Sequence, residues 1–190
     1  MTPRISPLGI DEVSEAIRQV FIAHESRAGY ISPVLKVLAH RPEFVTFYDA
    51  AMNVQSLSET SITPLERFLL QAKVAVANHS PYAMKYFQRK NDLNGFLPAH
   101  KFEALFRPAE GNHHFTEKEQ LVLGLGERLG ANAVVDDAFW ASLRAEFSEA
   151  ELLDLLVIGA VESFYATFVR GLGLTSLDLP QPTSPNEGAE

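Results

Sequence analysis

Cysteine is absent from all 190 residues. That absence removes disulfides, thiolate zinc sites, iron–sulfur ligation and every catalytic step that runs through a thiol. Basic runs are missing as well. The 16 Lys and Arg are outnumbered by 24 Asp and Glu, for a net charge of -8, and they are spread along the chain. Nothing here makes the electrostatic footprint of a nucleic-acid partner. No apolar core of signal-peptide length follows MTPRISPLGIDEV, so a cytoplasmic protein is expected. The longest nearly apolar stretch, Leu152 to Val161, contains Asp154 and is short for a bilayer span, so no membrane is expected either. His113 and His114 are adjacent and would point apart on regular structure. His24, His40 and His100 show no ligand spacing, so neither a metal nor a cofactor is expected.

What is present is helical punctuation. After Asp11, the residues Val13, Ile17, Val20 and Phe21 recur at three- to four-residue spacing and make one apolar stripe. Ser32-Pro33 and Arg41-Pro42 put proline where a first helical turn tolerates it, and the second helix should carry Phe44, Phe47, Tyr48 and Met52. Thr63 with Glu66, Thr116 with Glu119 and Ser148 with Glu151 are capping boxes, in which side chain and backbone cap each other reciprocally. The last opens ELLDLLVIGAVESFYATFVR, apolar on almost every face and therefore a buried or interfacial helix. The expectation is an all-α domain over residues 1–173 with about eight or nine helices. Loops are expected at Asn91 to Pro98 and Arg107 to His114, and a mobile proline-rich tail over 174–190. With 46% hydrophobic residues the chain suits one core.

Read in order, YISPVLKVLAHRPEFVTFYDAAMNVQSLSETSITPLERFLL and FTEKEQLVLGLGERLGANAVVDDAFWASLRAEFSEAELLDLLVIGAVESFYATFVRGLG resemble the alkylhydroperoxidase AhpD-like family, also called the carboxymuconolactone decarboxylase family. The resemblance covers roughly residues 29–172. It implies a helical bundle that assembles as dimers, trimers or hexamers. The family's signature is a glutamate, then after eleven residues Cys-x-x-Cys, then a histidine four residues further. Aligned on Ser-Pro-Tyr-Ala, those four positions hold Phe68, Ser80, Ala83 and Phe87. A hydroxyl does not ionise usefully near pH 7, and alanine resolves nothing. The family's thiol peroxidase chemistry is therefore lost.

Several residues then compete for a role. Phe68, Ser80, Tyr82, Ala83 and Phe87 are expected either to fill the old site or to line an apolar ligand pocket there. Ser80 reads first as an N-cap followed by proline. His79 reads as a loop histidine, or as an acid–base group with a suitable intrinsic pKa. Lys73 and Glu162 interrupt apolar helices; they would be structural ion pairs, or a polar pair facing a pocket. Tyr165 and Arg170 are expected to tie helices together. Three functions follow: binding of a small apolar or amphipathic molecule, a cofactor-free decarboxylase or lyase using His79 and Lys73, or a structural oligomer built on the long apolar helix.

Overall fold

The computed structural model describes residues 3–54 and 61–174; the tail expected from residue 174 lies outside it from 175 onward. Among the described residues there are nine α-helices and no strand, as the punctuation predicts. They are α1 (Glu15–Ala28), α2 (Pro33–Leu38), α3 (Pro42–Val54), α4 (Pro64–Ala77), α5 (Pro81–Asn94), α6 (Ala99–Ala104), α7 (Glu117–Gly130), α8 (Asp137–Glu146) and α9 (Glu149–Gly171). A short 3-10 turn at Ile10–Glu12 precedes α1.

The predicted caps form. Glu66, Glu119 and Glu151 each reach back to the N-cap backbone of Thr63, Thr116 and Ser148, at 2.8–2.9 Å. Proline opens α2, α3, α4 and α5. One expected loop is corrected: α5 continues through Asn91 to Asn94 and ends on Gly95, at φ +64°. Glycine suits that left-handed position because it has no Cβ. Asn91 sits inside the helix and uses its amide on the loop instead, donating to the Leu97 carbonyl at 2.9 Å and accepting from its N–H at 2.8 Å.

Two apolar cores form side by side. One gathers Phe68, Leu69 and Leu70 of α4 with Ala83 and Phe87 of α5, Val122, Leu123 and Leu125 of α7, and Leu152, Leu155 and Ile158 of α9. The other gathers Ile17 and Phe21 of α1, all four buried residues of α2, Val45 and Tyr48 of α3, Tyr82, and Tyr165 and Val169 of α9. Helices α4 and α7 pack closest. A Cβ at Gly126 would stand 2.8 Å from the Leu70 carbonyl oxygen, and one at Gly130 would stand 2.6 Å from that of Val74. Only glycine lets the two backbones approach so far.

Helix α9 runs through both cores and packs on α3, α4, α5, α7 and α8. Its 23 residues are enough, by length and composition alone, to cross a membrane, which the ten-residue stretch read from the sequence was not. Burial of Leu152, Leu155, Ile158, Tyr165 and Val169 is the pattern of a core helix. Between its two apolar halves sits Glu162. This buried carboxyl falls where the two cores meet, and the cavity described next opens there.

Candidate functional site

The five residues expected to fill the old site or line a pocket are all buried, and none is in the lining of the cavity at Glu162. Phe68, Ser80, Tyr82 and Ala83 have no exposed surface and Phe87 has 2%. The Phe68 ring meets Phe87 edge-on at 5.9 Å and stacks on Phe96 at 4.7 Å. The positions of the family's glutamate and histidine are thus occupied by one aromatic contact in the core. Ser80 caps α5, accepting from the Ala83 N–H at 3.4 Å, the bland role its sequence suggests.

His79 is exposed and holds a left-handed φ of +52° in the turn between α4 and α5. Lys73 is 2% exposed but faces away from Glu162. Its ammonium donates to the carbonyls of Leu105 at 3.1 Å and Arg107 at 2.6 Å and lies 3.7 Å from Glu127. Burial pulls its pKa down, while Glu127 pulls it up. Lys73 therefore clamps the loop after α6 onto α4 and α7. The Lys73–Glu162 pair considered from sequence does not form, because Lys73 lies on the face of α4 that meets Glu127 of α7 and the loop after α6. Arg170 ties helices as expected, donating to the Asn78 side-chain oxygen at 2.6 Å.

A cavity of about 590 Å³ opens one layer away from the old site. Its deep residues are Ser32, Tyr48, Gln71, Glu162 and Tyr165, all buried, and its rim carries Arg27, Ala28, Asn53, Leu93 and Asn94, all exposed. Between them lie Arg67 of α4, Tyr86, Arg89 and Lys90 of α5, Met52 of α3, and His24 and Tyr30. Tyr82 stands just behind this wall, its ring 6.2 Å from that of Tyr165. The old motif and the cavity thus share a partition. Arg67 and Gln71 are one turn apart on α4, as are Tyr82, Tyr86 and Lys90 on α5. Helical spacing of this kind puts each set on one face. That polar stripe beside the apolar Phe68–Ala83–Phe87 face was the sequence signal for the site, and the motif alignment drew attention to the other face.

The electrostatics set the cavity apart from the rest of the core. Burial pushes the Glu162 carboxyl up to about 8, with Lys90 acting weakly in the opposite sense. At neutral pH it is mainly the neutral acid, and its Oε1 has no hydrogen-bond partner among the described residues. Lys90 is pulled down by burial, raised by Glu162 and lowered again by Arg67. Burial also raises the hydroxyls of Tyr48, Tyr86 and Tyr165. His24 falls below its usual value through burial, which its hydrogen bond to the Tyr30 carbonyl at 2.8 Å opposes. The Arg67 Nε is buried without an acceptor among the described residues. Unsatisfied polar atoms at a cavity wall are costly unless something else meets them. Among the described residues no three His, Asp or Glu side chains converge as metal ligands would.

No model of a protein family matches the sequence, and no curated protein matches it. Solved structures do match. An alkylhydroperoxidase AhpD core, an uncharacterized peroxidase-related protein from Ralstonia eutropha JMP134, superposes with a TM-score of 0.80 at 18% identity over 94% of each chain. An uncharacterized peroxidase-related protein from Silicibacter sp. TM1040 gives 0.75 at 18% identity over 92% of each chain. A cysteine-to-alanine variant of the debrominase Bmp8, in complex with 2,3,4-tribromopyrrole, gives 0.76 at 15% identity over 91% of each chain. At such low identity these likenesses establish the fold: the chain has the all-α AhpD-like architecture.

Proposed function

We propose that this chain, of AhpD-like fold and without a thiol, binds a small amphipathic molecule in the cavity against Glu162 and does not act as a thiol peroxidase. The observation that carries the reading is the 590 Å³ cavity, walled by Tyr48, Tyr86, Tyr165 and Met52, with buried polar atoms of Glu162 and Arg67 that have no partner among the described residues. Ligand sites are commonly concave and largely apolar, with a few convergent polar groups that set orientation. The pocket volume lies within the usual ~300–1,000 Å³ range for small-molecule sites.

Titration calorimetry with neutral 2-naphthol tests it. Binding is expected to the wild type, and Met52→Trp, which fills the cavity from α3, is expected to weaken it at least about tenfold while circular dichroism and the melting curve stay wild-type. Equal binding by a folded Met52→Trp protein would move the ligand elsewhere and sink the reading. In the same preparation, peroxide consumed beyond a dithiol-only control would overturn the loss of peroxidase activity.

A second reading, a cofactor-free lyase, is favoured by the same Glu162, since a carboxyl held near 8 in a cavity can exchange protons at working pH. His79 and Lys73 are not its acid–base groups, because neither lines the cavity. Any turnover found should disappear in Glu162→Gln.

We also propose that copies associate through the outward face of α9 and α3. Leu153, Phe164 and Phe47 are 61%, 41% and 56% exposed, and the Phe47 and Phe164 rings meet edge-on at 5.7 Å. Exposed aromatic patches of this sort mark interfaces. Light scattering is expected to give a multiple of the 21.0 kDa chain mass, and Phe164→Asp is expected to give the single-chain mass. An unchanged mass in the variant would remove this face from the assembly.

A further inference from the structure

The cavity's charges are lopsided in a way that the binding reading alone does not require. Arg67, Arg89 and Lys90 line it, and none of them lies in ion-pair contact with a carboxylate among the described residues. Arg27 at the rim already has Asp49 at 3.0 Å. Among the described residues the acid in the lining is Glu162, buried at the far end and more than nine-tenths covered. Three cations without a carboxylate partner among the described residues, one of them (Lys90) 5.8 Å over the Phe87 ring, therefore surround a site whose buried carboxyl, Glu162, is mainly neutral at pH 7. Bringing an unpaired cation to a partly desolvated wall is costly unless an anion arrives to meet it. The chain as a whole carries -8, so this local excess of positive charge runs against the overall balance.

We propose that the cavity selects an aromatic monocarboxylate, whose ring lies among Tyr48, Tyr86 and Tyr165 and whose carboxylate is held by Arg67 and Lys90 beside the acid form of Glu162. This rests on the reading of the cavity as a ligand site and names the chemistry it takes. Guanidinium and ammonium donors recognise carboxylates through charge-assisted bonds, roughly twice as strong as neutral ones. The Arg67 Nε and the protonated Glu162 supply donors that nothing else uses. Flat tyrosine walls favour a planar body by stacked or edge-on contact.

The arrangement makes binding depend on pH in a defined direction. Glu162 shares the cavity with Arg67 and Gln71 from α4, Tyr86 and Lys90 from α5, and Tyr48 from α3. Burial raises the hydroxyls of Tyr48 and Tyr86 above their ordinary value. His24 of α1, held below its ordinary value by burial, is neutral at pH 7, and Lys90 is pulled down by burial; Glu162, near 8, is the group whose ionisation brings a negative charge into the cavity. Ionised, it repels a second carboxylate. Affinity therefore falls as pH rises through about 8, and binding near pH 8 takes up a proton.

The test compares three probes with one ring system on the full-length chain by calorimetry: 2-naphthoate, 2-naphthol and 2-(aminomethyl)naphthalene. At pH 7 the naphthoate should bind about tenfold or more tightly than the naphthol, and the ammonium not measurably. Between pH 7 and pH 9 the naphthoate affinity should fall about tenfold, and Glu162→Gln should abolish that fall, its own affinities at the two pH values agreeing within about twofold. Arg67→Met should weaken naphthoate and leave naphthol unchanged. Equal binding of naphthoate and naphthol, both blocked by Met52→Trp, would overturn the anion selectivity while leaving the cavity a ligand site. A pH dependence that survives in Glu162→Gln would overturn the part given to Glu162. No binding by any probe would overturn both this inference and the function it rests on.

Discussion

Glu162→Gln is expected to make the protein more stable at pH 8 and no more stable at pH 4.5. The folded chain holds this carboxyl near 8, against an ordinary 4.5 in the unfolded chain. Between those values the folded state keeps a proton that the unfolded state has released. Stability of the wild type therefore falls as pH rises from about 4.5 to about 8, and levels off above that. Each unit of pKa difference corresponds to ~1.4 kcal/mol, so the full penalty is on the order of a few kcal/mol. Glutamine has the same shape and no charge to neutralise. Urea unfolding of both proteins at pH 4.5, 6 and 8 should give curves that diverge upward in pH. Parallel curves would mean that Glu162 reaches solvent or a counter-charge and does not sit neutral at the cavity floor. A residue that destabilises its own fold at working pH is one retained for something other than the fold.

Phe68→Glu, which returns the residue expected at that position in the family signature, is expected to cost ~4 kcal/mol or more and to restore no chemistry. Phe68 has no exposed surface and is packed between Phe87 and Phe96. A glutamate there gives up those contacts and must be buried without a partner. Phe68→Leu keeps the apolar volume roughly and should cost only ~1 kcal/mol, which separates charge burial from simple loss of the ring. Denaturant midpoints with unchanged slopes check both. Adding cysteines through Ser80→Cys and Ala83→Cys should give no peroxide turnover, since both positions are fully covered. A Phe68→Glu protein within ~1 kcal/mol of the wild type would show that the old site is still open to water.

These two variants mark the two sides of one partition. Tyr82 lies behind it and Tyr165 in front, with their rings in contact. On one side Phe68, Ser80, Ala83 and Phe87 are buried in the core. On the other, polar groups of α4, α5 and α9 surround an open volume. The neighbouring helix faces differ by a rotation of about 100° per residue, which takes Phe87 into the core and its neighbour Tyr86 into the cavity.

Much of this was legible beforehand, for local reasons. Three capping boxes and four helix-opening prolines are contacts within four residues of one another, so their spacing alone specified where α4, α5, α7 and α9 begin. The loop expected at Asn91 was misread because Asn, Asp and Gly usually mark turns; the bond from Asn91 to Leu97 that lets the helix continue forms only once the chain has folded back. For Lys73 the structural ion-pair alternative holds, with Glu127 at 3.7 Å, and the alternative of a polar pair with Glu162 does not; only tertiary packing brings Glu127 and the Leu105 and Arg107 carbonyls to it.

The sequence by itself determined the all-α architecture, the helix starts and the absence of any cysteine thiol, because composition and short-range caps decide these. Only the tertiary structure decided which face of α4 and α5 borders open space, and that Glu162 ends at its floor beside Arg67 and Lys90. Those residues come from three helices, and their meeting depends on how α9 spans two cores at once. The capping and composition rules act over a few residues and contain no such distance.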